Sequence, residues 1–336
     1  MNEPVNNQIR LAARPVGLPK SSDWSLTQEP VRKPGAGEVV VKTHYISVDP
    51  AMRGWMNDMD SYLPKLALGD VMRALTVGEV IESHNDDLAV GDYVAGVGGV
   101  QDYAVVQGQE LMKIDLGLAP LQAYLNTLGI AGLTAYCGLV KLGEPKAGQT
   151  VLVSGAAGSV GAHVGQIAKI KGCRVIGIAG GKRKCDFIVD ELGFDGAIDY
   201  KSGNLFESIP QLCPDGVDIF FDNVGGDILN AALVNINHSA RVVLCGGIAN
   251  YNATSPNPGP AAYGMLIIRS ARMEGYIYLD YQDEWPAMIK EMAAWMADGK
   301  LECPDDIVQG GVSVFPDTLL RLFSGDNFGK LMIKVT

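Results

Sequence analysis

The fold of this chain is decided by the stretch Val151-Leu-Val-Ser-Gly-Ala-Ala-Gly-Ser-Val-Gly161. Its apolar start predicts a short buried strand, and an apolar stripe of helical period follows it. Gly155 permits a tight turn, Gly158 lets the backbone approach a phosphate, and Gly161 allows the helix to pack close to the sheet. The first N–H groups of such a helix favour an anion, so the stretch predicts a site for a dinucleotide pyrophosphate.

The surrounding sequence repeats this strand–helix alternation. Such alternation predicts a Rossmann-type, doubly wound parallel sheet with right-handed crossovers in an α/β fold. The glycine spacing, G-x-x-G-x-x-G, differs by one position from G-x-G-x-x-G, so a glycine-rich turn without a ligand stays an alternative. The predicted strands are 151–153, 174–179, 197–198, 217–221 and 241–245, and the predicted helices include 186–192 and 285–298.

The first 120 residues read differently. Short β-rich runs are separated by turn formers, which predicts a compact, barrel-like module. The final run Leu331–Val335 is too isolated to stand alone and is expected to return to that module. The expected domains are therefore 1–124, 125–298 and 299–336, with the last segment completing the first domain.

Composition excludes several classes of protein. The 336 residues are 47% hydrophobic and 19% charged, which is enough apolar material for a large core. The net charge of −11 argues against a general nucleic-acid binder. The N-terminus lacks the apolar core of a signal peptide, no apolar run approaches membrane-spanning length, and the cysteines lack metal or disulfide spacing, so we expect a cytoplasmic protein. These cysteines are Cys137, Cys173, Cys185, Cys213, Cys245 and Cys303.

The second strand indicates which dinucleotide binds. An NAD site places a carboxylate at the end of this strand to hold the ribose 2′-hydroxyl. Here the strand ends in Ile178-Ala-Gly-Gly181, and Lys182-Arg-Lys184 follows. Three cations without a carboxylate favour the 2′-phosphate of NADP(H). A solvated basic helix start is the alternative.

Seven ordered motifs lie at 47–54, 129–136, 154–161, 221–226, 245–252, 272–275 and 325–330. Together they resemble the zinc-independent medium-chain dehydrogenase/reductases. Within that family the chain is similar to the prostaglandin reductases (leukotriene hydroxydehydrogenases), plant alkenal double-bond reductases and bacterial curcumin reductases. The resemblance covers nearly the whole chain.

The resemblance implies a GroES-like catalytic domain, a Rossmann domain and NADPH as cofactor. It implies that the nicotinamide half meets Cys245–Tyr251 and Tyr276–Tyr278, and that Asn327 reaches the cofactor from the returning tail. The cofactor-binding residues implied in this way are Gly155, Gly158, Ser159, Val160, Gly161, Gly180, Lys184, Tyr200, Asn223, Cys245, Gly246, Gly247, Ile248, Tyr251, Tyr276, Ile277, Tyr278 and Asn327.

The sequence departs from its relatives in one region and lacks the usual zinc ligands. Trp55 stands where relatives often carry an arginine, and Arg73, Ala74 and Leu75 lie where they often carry glycines, so the pocket mouth is expected to differ. No cysteine precedes Cys137, so we expect no catalytic zinc. The chemistry predicted without a metal is hydride transfer from NADPH to the β-carbon of an α,β-unsaturated ketone or aldehyde.

Tyr251 is the leading catalytic candidate, because a phenol can hydrogen-bond the oxyanion that develops on the substrate carbonyl. An aromatic pocket wall is the alternative. Tyr62, Arg53 and Tyr276 are predicted pocket residues, with plain packing, or for Arg53 a pairing with Asp49, as alternatives. A homodimer is expected. Two other functions stay open: an NADPH:quinone reductase, and a non-catalytic NADPH-binding redox sensor.

Overall fold

The computed structural model describes residues 4–59, 61–302 and 304–335. The chain divides into two compact units, Met1–Leu125 with Asp305–Thr336, and Asn126–Pro304. The stretch after residue 298 belongs to the second unit as far as 304. There the Gln166 side chain donates to the Glu302 carbonyl at 2.6 Å and accepts the Glu302 N–H at 2.9 Å. Cys303 lies outside the described residues.

The strands are β1 Val5–Leu11, β2 Trp24–Pro30, β3 Glu38–Ser47, β4 Leu75–Ser83, β5 Tyr93–Val97, β6 Tyr103–Gln107, β7 Met112–Lys113, β8 Thr150–Ser154, β9 Arg174–Ala179, β10 Gly196–Asp199, β11 Val217–Asp222, β12 Ile236–Leu244, β13 Arg272–Gly275, β14 Asp305–Gln309 and β15 Lys330–Lys334. β-Branched and aromatic residues make up most of β3 and β11, as expected for buried sheet positions.

The α-helices are α1 Ala51–Trp55, α2 Ile130–Tyr136, α3 Ser159–Ile170, α4 Lys182–Asp190, α5 Leu205–Leu212, α6 Gly226–Leu233, α7 Met265–Ile268, α8 Trp285–Ala297 and α9 Phe315–Ser324. A π-helical segment, Cys137–Gly143, continues α2. Short 3₁₀ segments lie at Ser21–Asp23, Gly108–Glu110, Leu121–Tyr124, Ile248–Asn250, Ala261–Gly264, Tyr278–Glu284 and Val312–Val314. Within the described residues, no helix combines the length and apolar character that a membrane span needs.

The first unit is built on a β-sheet. Its strand order is β14-β15-β3-β4-β5-β7, β6 also pairs with β3, and β1 and β2 form a separate antiparallel pair. β15 runs antiparallel to β3, with Met332 opposite Ser47. The C-terminal tail therefore completes this β-rich unit, as predicted. A core that includes Ile46, Met52 and Phe315 packs beneath.

The second unit is a parallel sheet with the order β10-β9-β8-β11-β12-β13. The predicted Rossmann-type sheet is confirmed. One helix boundary was wrong: α4 begins at Lys182, not at Asp186. Gly181, with a φ of 90°, ends the preceding turn and allows the helix to start there. The three cations predicted to precede the helix therefore form its first turn.

Candidate functional site

The candidate site in the second unit lies at the carboxyl end of its parallel sheet. The order reverses at β8, with β9 and β10 on one side and β11, β12 and β13 on the other. In such sheets, ligands bind at the carboxyl ends of the strands where the order reverses. The loops that follow β8, β9, β11 and β12 therefore lie where a ligand would bind.

The loop after β8 leads directly into α3. Gly155 has a φ of +60°, in the left-handed region that favours glycine. A Cβ on Gly161 would lie 2.3 Å from the Gly155 carbonyl oxygen, so a side chain there would push the helix away from the loop. Gly158 precedes the first helical residue, Ser159, so the backbone N–H groups of Ser159 and Val160 lie at the start of the helix. This cradle fits a pyrophosphate.

Asp222, the last residue of β11, organises this end of the sheet. Its side chain is fully buried, and its Oδ1 accepts the Ser154 hydroxyl at 2.8 Å and the N–H groups of Val224 and Gly225 at 3.0 Å. Its carbonyl oxygen accepts the Cys245 N–H at 2.9 Å. Burial raises the pKa of the carboxyl, and the hydrogen bonds oppose that rise. Asp222 thus joins the ends of β8, β11 and β12, a role that the sequence analysis missed.

Asn223 lies against the glycine loop. Its backbone N–H donates to the Ser154 hydroxyl at 2.8 Å, and its Nδ2 donates to the Ser154 carbonyl at 2.7 Å. A Cβ on Gly155 would lie 3.4 Å from the Asn223 Cβ. The structure therefore brings Asn223 and the loop together at the point where strand order reverses. Its contact with a cofactor stays a prediction.

Three cations lie in the first turn of α4, directly after β9. Their charge opposes the positive end of the helix dipole, and a bound anion would offset that repulsion. Lys182 is exposed and forms an ion pair with Asp186 at 2.7 Å. Lys184 is half-buried, and its backbone N–H donates to the Gly181 carbonyl. Lys184 is thus the more enclosed of these two lysines.

Tyr200 and Lys201 approach the same turn from the end of β10. A Cβ on Gly180 would lie 3.0 Å from both the Tyr200 Oη and the Lys201 Cε, so a side chain there would displace them. The Asp199 carboxylate accepts the N–H groups of Gly181 at 2.7 Å and of Lys201 at 3.0 Å. The bond from Gly181 is the main reason why the pKa of Asp199 is lowered. Lys201 is a cation of this turn that sequence reasoning missed.

Tyr251 folds back over the loop that follows β12. Its phenol oxygen accepts the Gly247 N–H at 3.3 Å, and its ring is half-buried. A Cβ on Gly246 would lie 3.1 Å from that oxygen. The N–H of Ile248 donates to the Asn223 carbonyl at 3.3 Å, which attaches this loop to the end of β11. The predicted residues from Cys245 to Tyr251 therefore gather beside the glycine loop.

Tyr276 faces the interior of the second unit. Its hydroxyl donates to the Thr134 carbonyl at 2.6 Å, and a Cβ on Gly138 would lie 2.4 Å from it. Burial raises the pKa of Tyr276 well above its usual value and that of the Cys245 thiol to about 12. These contacts are those of a packing residue, so a substrate role for its hydroxyl stays a prediction.

Tyr278 also packs within the second unit. Its ring stacks on Trp285 with centroids 5.3 Å apart, and its carbonyl accepts the indole N–H at 3.2 Å. Ile277 precedes it and is half-buried. Their predicted contacts with the nicotinamide half stay predictions.

Arg53 is buried in the first unit, at 4% exposure. It donates to the carbonyls of Gly17 and Pro15, both at 3.1 Å, and to the Asn57 side chain at 2.7 Å. Burial lowers its pKa. Its guanidinium thus fixes the 15–17 segment, and its role as a pocket residue stays a prediction.

The buried Trp55, the half-buried Arg73 and the exposed Tyr62 form a cluster in the first unit that includes positions where the sequence departs from its relatives. The Trp55 indole donates to the Tyr62 hydroxyl at 3.1 Å, and the Arg73 guanidinium lies over the Trp55 ring at 5.9 Å. Arg73 also donates to the Pro64 carbonyl at 2.8 Å. Tyr62 is 48% exposed, so it is accessible to a ligand.

Asn327 lies just before β15 in the same unit and is 9% exposed. Its amide donates to the Gly329 carbonyl at 3.4 Å. In the part of the chain that the structure describes, no group of three His, Cys, Asp or Glu side chains could hold a metal ion.

Comparisons with known proteins agree with this geometry. Residues 7–114 match the family described as "N-terminal domain of oxidoreductase" and residues 159–294 the one described as "Zinc-binding dehydrogenase". The chain is 40% identical to the NADPH-dependent curcumin reductase of Escherichia coli, over 98% of this chain and 97% of that one. It is 37% identical to the NADP(+)-dependent 2-alkenal reductase of Nicotiana tabacum, over 99% and 98%.

A solved structure gives the same result. The chain resembles CurA of Vibrio vulnificus, solved in complex with NADPH, with a TM-score of 0.93 and 41% identity over 98% of this chain and 99% of that one. Both units are therefore shared with a protein whose structure was solved in complex with NADPH. The chain belongs to the medium-chain dehydrogenase/reductase family, in the group of NADPH-dependent reductases that includes the curcumin and 2-alkenal reductases.

Proposed function

We propose that this protein is an NADPH-dependent reductase of the C=C bond in α,β-unsaturated ketones and aldehydes. The observation that carries the proposal is the position of the Tyr251 phenol. The phenol lies against the Gly246–Gly247 backbone in the loop after β12, and the Ile248 N–H of the same loop donates to the Asn223 carbonyl. The names of the curcumin and 2-alkenal reductases support the same substrate class.

The residues of the second unit fit the cofactor. At Gly161 a Cβ would lie 2.3 Å from the Gly155 carbonyl oxygen and at Gly158 3.2 Å from it, and Gly155 has a positive φ, so glycine is favoured at all three positions of the cradle. Lys184 and Tyr200 would hold the 2′-phosphate, because a cation and a phenol can both donate hydrogen bonds to it. When bound, NADPH supplies the hydride that the β-carbon of the alkene receives.

Tyr251 would act on the other end of the conjugated system. As hydride reaches the β-carbon, negative charge moves to the carbonyl oxygen of the substrate, and a phenol O–H can stabilise it. The Gly247 N–H already donates to the Tyr251 oxygen, and a phenol that accepts one hydrogen bond donates more strongly through its own proton. Tyr251 would thus stabilise the enolate and hold a proton near the α-carbon.

An acceptor comparison tests the proposal. Purified protein is given NADPH with a 2-alkenal, an enone or a benzoquinone, and the loss of NADPH absorbance is followed together with product analysis. Saturated aldehyde or ketone from the first two acceptors supports the proposal. Turnover with benzoquinone alone would indicate a quinone reductase, and tight NADPH binding without turnover would indicate a redox sensor.

Self-association stays a prediction. β13, Arg272–Gly275, is the last strand in the order of its sheet, and a strand in that position can pair with a second copy across a two-fold axis. Light scattering after size exclusion measures the mass directly. A monomeric mass at micromolar concentration would contradict the predicted homodimer.

A further inference from the structure

The first turn of α3 is held from behind by a buried polar network. His163 lies one turn after Ser159 and is fully buried. Its Nδ1 is 2.6 Å from the Ser159 carbonyl oxygen, and its Nε2 is 2.8 Å from the Thr127 hydroxyl. Thr127 is only 3% exposed, so the contact at Nε2 is buried on both sides.

The partners assign the protons of this imidazole. A carbonyl oxygen only accepts hydrogen bonds, so Nδ1 carries the proton that reaches Ser159. In the neutral ring Nε2 is then an acceptor, and the Thr127 hydroxyl donates to it. His163 therefore connects the carbonyl of the first helical residue to the segment that precedes α2.

Ser159 has a second connection to the same segment. Its hydroxyl donates to the Asn126 side-chain oxygen at 3.0 Å, and Asn126 is 2% exposed. A hydroxyl has one proton, so the proton donated to Asn126 is not available to a phosphate. The Ser159 hydroxyl is thus engaged with Asn126, whereas the Ser159 N–H belongs to the helix turn that forms part of the pyrophosphate cradle.

The segment that receives these bonds is closely packed. The Gly132 N–H donates to the Asn126 carbonyl at 3.0 Å. A Cβ on Gly132 would lie 1.8 Å from the Thr127 carbonyl oxygen, so the backbone here approaches more closely than any other residue would permit. The network thus connects the start of α3 to a buried and closely packed segment.

We propose that His163 is a positioning residue for the dinucleotide, and that the Ser159 hydroxyl supports the turn rather than binding phosphate. Terminal turns of helices fray, and a turn that is ordered before the ligand arrives costs less to order on binding. His163 and Asn126 would supply that order to the N–H groups of the first turn. The inference rests on the proposed function, because it requires NADPH at this loop.

Two variants of His163 test the positioning role. H163F keeps a buried ring and removes both hydrogen bonds, whereas H163N keeps a donor near the position of Nδ1. The dissociation constant for NADPH, measured by nucleotide fluorescence, should rise about tenfold in H163F and less than about threefold in H163N. H238F, at an exposed histidine of the same unit, is the matched control and should bind like wild type.

Two further readouts separate positioning from general damage. Hydrogen exchange of the Val160 and Gly161 amides in the free protein should accelerate in H163F, while melting of the rest of the unit changes little. With NADPH varied, KM should rise with kcat nearly unchanged. Unaltered NADPH affinity in a folded H163F would overturn the inference, and so would equal losses in H163N and H163F.

A double-mutant cycle tests the Ser159 hydroxyl. S159A and N126A should raise the NADPH dissociation constant by similar factors, and the double variant should be no weaker than either single one. If S159A weakens binding as much in the N126A background as in wild type, the hydroxyl binds phosphate itself and the assignment is wrong. Failure of wild-type protein to bind NADPH would instead refute the proposed function.

Discussion

Replacing Lys330 by methionine should loosen the last strand of the first unit. Lys330 begins β15, is 1% exposed, and places its Nζ 2.5 Å from the Asp49 carboxylate. The Ser47 hydroxyl donates to the other carboxylate oxygen. Because Ser47 ends β3, the pair links the returning tail to the strand beside it.

The magnitude follows from what each substitution leaves behind. Breaking a buried ion pair by removing one partner costs about 3–5 kcal/mol, because the other charge stays in a poorly solvated place. The Asp49 side chain is 13% exposed and keeps Ser47, so K330M belongs at the lower end, about 3 kcal/mol. D49N leaves an ammonium whose side chain is 2% exposed, so it belongs at the upper end. The double variant K330M/D49L strands no charge and should recover most of the loss.

Hydrogen exchange of the β15 amides is the assay, because a chain of two units need not unfold in one step. A loss of 3 kcal/mol corresponds to exchange that is about a hundredfold faster. K300M is the matched control: Lys300 pairs with Asp298 on the surface, and such pairs contribute less than about 1 kcal/mol. Exchange within about threefold of wild type in K330M, or a double variant worse than both single ones, would refute the reasoning.

Four other outcomes are expected. K184A should raise the dissociation constant for NADPH about tenfold and leave that for NADH nearly unchanged, with K182A as control; equal losses for both nucleotides would reject the phosphate assignment. Y251F should lower kcat at least about tenfold at unchanged NADPH affinity, and unchanged turnover would make Tyr251 a pocket wall. EDTA should leave activity unaffected, and a loss reversed by zinc would contradict this expectation. Burial raises the pKa of the Cys137 thiol to about 12 and of Cys213 to about 11, so both should react with iodoacetamide far more slowly at pH 8 than in unfolded protein. Since unfolded thiols lose their protons first, the contribution of these two thiols to stability should be constant below about pH 9 and fall above it.

The glycine loop could be predicted because its constraint is local. The positive φ at Gly155 and the close approach at Gly161 both depend on residues within the same short stretch. The parallel sheet was predictable for a related reason, since strand–helix alternation leaves few topologies. The start of α4 was misplaced because a run of cations is a poor helix start, and the turn at Gly181 outweighs that preference.

Contacts between distant residues were beyond the same reasoning. Asp222 reads as an ordinary strand end, and its hydroxyl partner, Ser154, is 68 positions away. The sequence suggested Arg53 as the partner of Asp49, because the two lie close along the chain. In the structure the Asp49 carboxylate instead accepts a hydrogen bond from Lys330, 281 positions away. Which carboxylate meets which donor depends on how the strands are ordered in space. A pattern read along the chain does not contain that order.

The state of the thiols bears on the proposed substrate. α,β-Unsaturated aldehydes are electrophiles that add to thiolates, so a reductase for them meets its substrate with its own cysteines. Among the cysteines that the structure describes, the pKa is raised at each one, mainly by burial: Cys137, Cys173, Cys185, Cys213 and Cys245. Burial thus keeps these thiols protonated near neutral pH. Covalent modification of these five cysteines by an alkenal should therefore follow the opening of the fold, and mild denaturant should accelerate it.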